Sequence, residues 1–275
     1  MRKLGYEILV MISVIAVVVY MFFPFYWLFV SSLKSDSELY RMPPTWWPLR
    51  PRWANYRDIF TEHDLGRYLL NSLIVALSTT TISISIGGFA AYALAKFRMR
   101  WKDLILTLIL SVTMFPGIVI VSPLYIFFQR VRLLNTYWAL ILPYLSFSLP
   151  LTIWILYTFF RQIPDELVEA AAIDGATPTK TFVRIIAPLS APGVFTAAIL
   201  TFISAWNELL LAKIFITDNK KFTVPVALTL FQGQYTTAWQ LVAASAVVIT
   251  LPLIVMVLIM QKWIISGLTA GAIKD

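Results

Sequence analysis

Cysteine is absent from all 275 residues, and His63 is the only histidine. Such a chain forms no disulfide, no thiolate metal site and no cysteine nucleophile, and one histidine cannot build a histidine metal centre alone. No glycine is followed by lysine, so the phosphate-cradling GxxxxGK[ST] loop does not occur, and neither HExxH nor GxSxG is present. The chain carries no hydrolytic signature and reads as a non-enzyme. Charge is scarce too. Asp, Glu, Lys and Arg make up 13% of residues, against roughly 25% in soluble domains. The net charge of +8 therefore reads as basic loops beside a membrane, not as a nucleic-acid footprint. Internal repeats and low-complexity tracts are also missing.

What remains is apolar. Hydrophobic residues reach 59% and mean hydropathy is +0.78, which marks an integral membrane protein. Residues 8–33, 68–95, 104–129 and 133–160 are free of Asp, Glu, Lys and Arg, and each exceeds the roughly 20 residues that cross a bilayer. A fifth span fits 194–215, despite Asn207, Glu208 and Lys213, and a sixth fits 241–263 within the uncharged run 222–261. The expected fold is an all-α membrane protein of six transmembrane helices, forming one domain over residues 1–275. The first span follows Arg2 and Lys3, but its apolar run is too long for a secretion signal and no small-residue cleavage pattern follows.

Lysine and arginine set the expected orientation. Arg2 and Lys3 flank the first span, and Lys96, Arg98, Arg100 and Lys102 crowd the loop after the second. Both ends of the chain are then cytoplasmic in a cell (inner or plasma) membrane, with Arg130 and Arg132 a minor departure from the rule. Outside lie residues 34–67, rich in proline and tryptophan, which read as an interfacial aromatic belt around a stiffened loop. The segment 217–238 is the second outer stretch.

One acidic, alanine-rich segment stands apart, residues 164–193, PDELVEAAAIDGATPTKTFVRIIAPLSAPG. Pro164, Asp165 and Glu166 suit a helix start. Ala170, Ala171 and Ala172 favour helix, and Gly175 can take the left-handed conformation that ends one. Thr177 as N-cap and Pro178 open a second helix, which Pro188 and Pro192 limit. The product is a helix–turn–helix elbow, too polar to span a bilayer, which the topology places in the cytoplasm between spans four and five.

The spacing Glu169-Ala170-Ala171, three residues, Gly175, nine residues, Ile185, then Pro188 resembles the EAA signature of ATP-binding-cassette importer permeases. Ala187 departs from it, standing where the pattern has leucine. DGATPTKTF with IIAPLSAPG, and the C-terminal GLTAGAIKD, resemble the carbohydrate, maltose-type branch. This resemblance implies a coupling helix seated on a cytoplasmic ATPase, with Glu169, Ala170, Ala171, Asp174, Gly175, Ile185 and Pro188 at the contact. It implies a second permease subunit, two copies of the ATPase that bind ATP and Mg, and an extracytoplasmic solute-binding protein. It also implies that Gly267, Leu268, Thr269 and Gly271 form a tail reaching the ATPases, and that 217–238 reaches the binding protein. No cofactor is expected in this chain.

The pore is less legible. Asn207 and Glu208 are polar groups within a span, which face a cavity or pair internally. With Trp206 and Tyr144 they are the candidates for a translocation path, and hydrogen bonding between spans is the alternative. Gly87 and Gly88, with Ala90, Ala91 and Ala93, read as a close-packing face, with pore lining as the alternative. Met114-Phe115-Pro116-Gly117 and Pro123 predict a kink in span three. The function expected is a permease subunit of a binding-protein-dependent sugar importer. The rival readings are an importer for another solute, such as polyamine or glycerol phosphate, and an ATP-independent secondary transporter.

Overall fold

A computed structural model describes the backbone of residues 2–233 and 236–270, and the side chains of residues 6–233 and 236–262. Helix dominates, and the only extended pairing among the described residues is an isolated antiparallel bridge, Gln232 with Thr237. The all-α expectation holds. Among the described residues, four helices are long and apolar enough to cross a membrane by themselves: Tyr6–Ser32, Leu65–Lys96, Trp138–Arg161 and Trp239–Lys262. Two bent pairs, Lys102–Met114 with Gly117–Arg130 and Pro178–Leu189 with Ala191–Trp206, raise the count to six if each pair is one span.

The chain divides into two compact units, Met1–Gly66 with Ala227–Pro252 and Arg67–Val226 with Leu253–Asp275. The first holds α1 (Arg2–Ser32), α2 (Asp36–Leu39) and α3 (Ala54–Thr61), then most of a later helix and the start of the last. Its centre is a buried polar network. Lys34, 1% exposed, donates to the carbonyl of Thr45 at 2.5 Å and lies 4.6 Å from the Trp27 ring centroid. Burial lowers the Lys34 pKa, and Glu38 opposes that shift. Glu38 accepts from Thr45 Oγ1 and Leu49 N at 2.7 and 2.9 Å. Asn55 donates to the carbonyls of Ser32 and Lys34, so α3 closes the loop against the end of α1. Trp46, Trp47 and Trp53 are each more than half exposed, as a belt requires.

In the second unit, α4 (Leu65–Lys96) runs beside α7 (Trp138–Arg161). Ala91, Tyr92 and Leu94 of α4 meet Ile153, Leu156, Tyr157 and Phe160 of α7 in one buried cluster, each set recurring at helical spacing. The expected close-packing face is present. A Cβ built on Gly87 would lie 2.9 Å from Thr152 Cγ2, and one on Gly88 3.1 Å from Phe182 Cζ.

The third span is a correction. Instead of a kinked helix over 104–129, the structure has α5 (Lys102–Ser111), a 3₁₀ turn Val112–Met114, then α6 (Gly117–Arg130), bent by 88° at the break. Phe115 and Pro116 are both extended there (ψ 129 and 118), and proline supplies no N–H to continue a helix. The fourth span starts at Trp138, not at 133, because Arg132 and Asn135 take positive φ.

The fifth expected span, 194–215, is also not one helix. After α8 (Asp165–Ile173), α9 (Pro178–Thr181) and α10 (Ala187–Leu189), α11 covers Ala191–Trp206 and stops, and α12 covers Leu210–Phe215. The outer segment that follows has a 3₁₀ turn Asn219–Lys221 and α13 (Val224–Leu230). Asn135 ties its start to the α6–α7 loop, its Oδ1 accepting from Thr217 N and Asp218 N. Asn71 holds the middle, donating to the carbonyls of Lys220 and Phe222 while accepting from Tyr137 OH. The last helix, α14, runs Trp239–Ala270, longer at both ends than the expected 241–263.

Candidate functional site

The elbow forms as its sequence demands. Asp165 and Glu166 occupy the first turn of α8, where the helix dipole favours acidic groups. Gly175 takes φ +77. Ala176 N donates to Ala171 O at 2.9 Å and Gly175 N to Ala172 O at 3.0 Å, the two reversed bonds of a Schellman ending, which need a left-handed residue between them. Thr177 then caps α9, its side chain accepting from Lys180 N, with Pro178 in the first turn. Val168 and Ala171 face inward, Ala171 being buried. Glu169, Ala170, Ala172 and Asp174 are exposed, and Ile173 is 87% exposed. Of the three alanines only Ala170 and Ala172 lie on the open face, so Ala171 supports the elbow from within. Ile185 is half-buried and Pro188 exposed.

What fastens the elbow was not in the sequence reading. Residues Phe182–Ile186 form a π-helical stretch between α9 and α10, a form that recurs at functional positions in helices. It turns Phe182 and Ile186 into the buried cluster. The Phe182 ring centroid lies 4.5 Å from that of Phe89, 5.4 Å from Tyr92 and 5.9 Å from Phe160, so one elbow side chain touches both α4 and α7. At the other arm, Lys96 at the end of α4 donates to the carbonyl of Ile163 and to Asp165 Oδ1, the latter at 2.6 Å. The Lys96 side chain is 2% exposed. Its ammonium holds the Asp165 carboxyl below the ordinary carboxylate range, first through the hydrogen bond and then through charge. Beyond the elbow, Gly193 sits so close to Phe159 that an added Cβ would lie 2.4 Å from its Cγ. The glycine spacing hinted at these contacts, but their partners are distant in sequence.

The candidate translocation residues separate into two groups. Glu208 and Tyr144 meet, with Tyr144 OH donating to Glu208 Oε2 at 2.6 Å. Leu211 N and Ala212 N also donate to Glu208, at 2.8 and 3.1 Å. The carboxylate therefore supplies acceptors to the open N-terminus of α12, which is why a charged residue interrupts the expected span. Asn207 does the matching work at the other end, its amide donating to Ile203 O at 2.9 Å as α11 closes. Trp206 is a core residue. It is 1% exposed and stacks on Phe202 at 5.5 Å, and it does not line the polar cavity where Tyr144 and Glu208 meet. That cavity, about 40 Å³, is lined also by Thr79, Ser148, Thr201 and Ser204. A chain of hydroxyls leaves its wall and returns to it, Ser148 to Ser83, Ser83 to Thr152, and Thr152 to Thr201, at 3.0 to 3.3 Å. This polar seam joins α4, α7 and α11.

The tail residues Gly267, Leu268 and Thr269 continue α14 in backbone, with their side chains outside the described residues, and Gly271 lies outside them altogether.

Comparison with known proteins agrees with this architecture. The family described as "Binding-protein-dependent transport system inner membrane component" matches residues 83–269. A trehalose/maltose transport system permease protein of Thermococcus litoralis is 41% identical over 98% of this chain and 97% of its own. A trehalose transport system permease protein of Mycobacterium tuberculosis is 44% identical over 94% of each. A sulfoquinovosyl glycerol transport system permease protein of Agrobacterium fabrum is 42% identical over 92% of this chain and 88% of its own. Among solved structures, a chain of a bacterial ABC transporter for import of the acidic polysaccharide alginate shares the fold, with TM-score 0.80 at 19% identity over 96% of this chain and 97% of that one.

Proposed function

This chain belongs to the family of binding-protein-dependent transport system inner membrane components, and from that premise we propose that it forms half of the pore of an ATP-driven sugar importer. The observation that carries the sugar assignment is the near full-length likeness to trehalose and trehalose/maltose permeases. In this reading the chain pairs with a second permease subunit, two cytoplasmic ATPases bind ATP and Mg, and an extracytoplasmic binding protein delivers the solute. Both termini and the elbow are cytoplasmic.

The geometry supports a mechanical route. The open face of α8, bearing Glu169, Ala170, Asp174 and the exposed Ile173, is small in relief and fits a groove on the ATPase. The Schellman turn at Gly175 sets the angle between the arms. Phe182 and Ile186 then pass any displacement to α4 and α7, and the Gly193–Phe159 contact ties α11 to the same body. Glu208 and Tyr144 stand at the far end of α11 and hold the break that follows it. The tail from Gly267 through Gly271 would extend α14 toward the ATPases.

The test is reconstitution of the chain with its ATPase, second permease and binding protein. Uptake of labelled trehalose or maltose that requires ATP and the binding protein supports the reading. Uptake by this chain alone, driven by an ion gradient, would overturn it. ATP-driven uptake confined to a solute that is not a sugar would overturn the sugar assignment only.

A further inference from the structure

The loop between α4 and α5 does more than add positive charge to one side of the membrane. It folds back on the end of α4 to form an open depression of about 480 Å³, lined by Lys96, Arg98, Arg100 and Lys102, with Asp165 as the single acid. Lys96 is committed to Asp165 and the Ile163 carbonyl. Arg98 and Lys102 act on Asp165 only through longer-range charge. No ion pair within 4 Å engages Arg98, Arg100 or Lys102 among the described residues. After one cation is neutralised, three remain around a concave site.

The cations are partly held in place by rings. Arg100 lies 5.7 Å from the Trp101 ring centroid, and Lys102 lies 5.1 Å from that of Tyr157 on α7. Such contacts orient a cation while leaving its N–H groups free to donate. Phe97 and Met99 share the lining and are 43% and 38% exposed, and Trp101, their neighbour in the chain, is 63% exposed. The membrane-length helix α4 ends here at Lys96, and the apolar ten-residue α5 starts at Lys102, which puts the site at the level of lipid headgroups. Exposed apolar groups beside a basic depression at that depth suit a ligand with an anionic head and a hydrophobic body.

We propose that this depression binds the phosphate of an anionic membrane lipid, with Arg98, Arg100 and Lys102 donating to it and Phe97, Met99 and Trp101 against its acyl chains. A freely soluble phosphate shares the charge chemistry but has no use for the exposed apolar groups. The proposal does not depend on which solute is carried. It borders the elbow, because Lys96 both lines the depression and closes the ion pair at the start of α8.

The experiment uses the full chain in nanodiscs of phosphatidylcholine with and without phosphatidylglycerol, reading retained lipid by native mass spectrometry. The expected result is roughly tenfold enrichment of phosphatidylglycerol over phosphatidylcholine in the retained lipid, given the attraction each basic residue contributes near a membrane surface. The enrichment should be lost in the triple variant Arg98→Gln, Arg100→Gln, Lys102→Gln. It should persist in a charge-matched control, Arg161→Gln, Lys180→Gln, Arg184→Gln, whose members are exposed and lie outside the depression. Equal loss in both triple variants would reduce the effect to general surface charge and overturn the site. Enrichment unchanged by the first triple variant would overturn it too, as would displacement of the retained lipid by millimolar inorganic phosphate. A circular-dichroism spectrum and melt on each variant shows that lost binding is not lost folding.

Discussion

Phe182, on the elbow, lies with its ring centroid 4.5 Å from that of Phe89 on α4, and its Cζ fills the space that a side chain on Gly88 would take. One aromatic ring therefore fastens a polar, exposed hairpin to the spans. Phe182→Ala should remove about 3–5 kcal/mol of stability, the usual cost of emptying a buried aromatic site. In the assembled transporter it should lower uptake more than ATP hydrolysis, because the elbow would move without carrying α4 and α7. Thermal melts and paired uptake and hydrolysis rates check both statements.

Gly193 makes the second joint. A Cβ there would overlap the Phe159 ring, so Gly193→Ala should destabilise by about 1–3 kcal/mol through overpacking. The double variant Gly193→Ala, Phe159→Leu should recover part of that loss, and a melt of the two variants side by side measures it. No recovery would mean that the close approach of α7 and α11 is not what limits the site.

Tyr144 and Glu208 form a short charge-assisted hydrogen bond across α7 and the α11–α12 break. Tyr144→Phe should cost about 1.5–3 kcal/mol, the range for a bond to a charged group. Glu208→Ala should cost more, since Leu211 N and Ala212 N lose their acceptor as well. The two losses should be non-additive in a double-mutant cycle. Glu208→Gln separates capping from transport: full stability with reduced uptake and reduced ATPase stimulation would add a role in the path, and full uptake would leave capping alone.

The Lys96–Asp165 pair has a defined acid limit. The folded Asp165 pKa lies below the ordinary carboxyl value, and an unfolded aspartate titrates near about pH 4. The pair's contribution is thus complete above about pH 4 and is lost as pH falls through the depressed folded value. Asp165→Asn should melt slightly below the wild type at pH 7, a small effect because the carboxylate is 75% exposed. The two melting curves should draw together below about pH 4 and meet once pH is under the depressed folded value. Lys96→Met should cost more than Asp165→Asn, because it also strips the Ile163 carbonyl of its donor.

Local chemistry was legible in the sequence and distant partners were not. Gly175 and Thr177 announced the turn because a left-handed residue and an N-cap act within five residues of themselves. Gly87 and Gly88 announced a close approach without naming Thr152 or Phe182. The breaks at Pro116 and at Asn207–Leu209 were visible only as a proline and two polar residues. Whether such residues kink a helix, line a path or cap two ends depends on what packs around them. The π-helical stretch had no signature at all, since it arises from one residue too many between fixed contacts. Glu208 illustrates the limit most clearly: its charge within a span pointed to a path or to a bond between spans, and the backbone N–H groups of α12 and the tyrosine of α7 that it bonds could not be named from sequence.

The central claim is that the elbow transmits motion from an ATPase to the spans, and Gly175 tests it most directly. Its φ of +77 is one that side chains with a Cβ rarely adopt, and nothing lies within 4 Å of the place a Cβ would occupy. A substitution there strains the backbone alone, by roughly 1–2 kcal/mol. The measurement is the ratio of solute imported to ATP hydrolysed by the reconstituted transporter carrying Gly175→Val, with membrane insertion and assembly quantified in the same vesicles. The account predicts normal insertion, continued hydrolysis and a ratio that falls several-fold, with Gly175→Asn, which tolerates the left-handed region, close to the wild type. An unchanged ratio in Gly175→Val would contradict it.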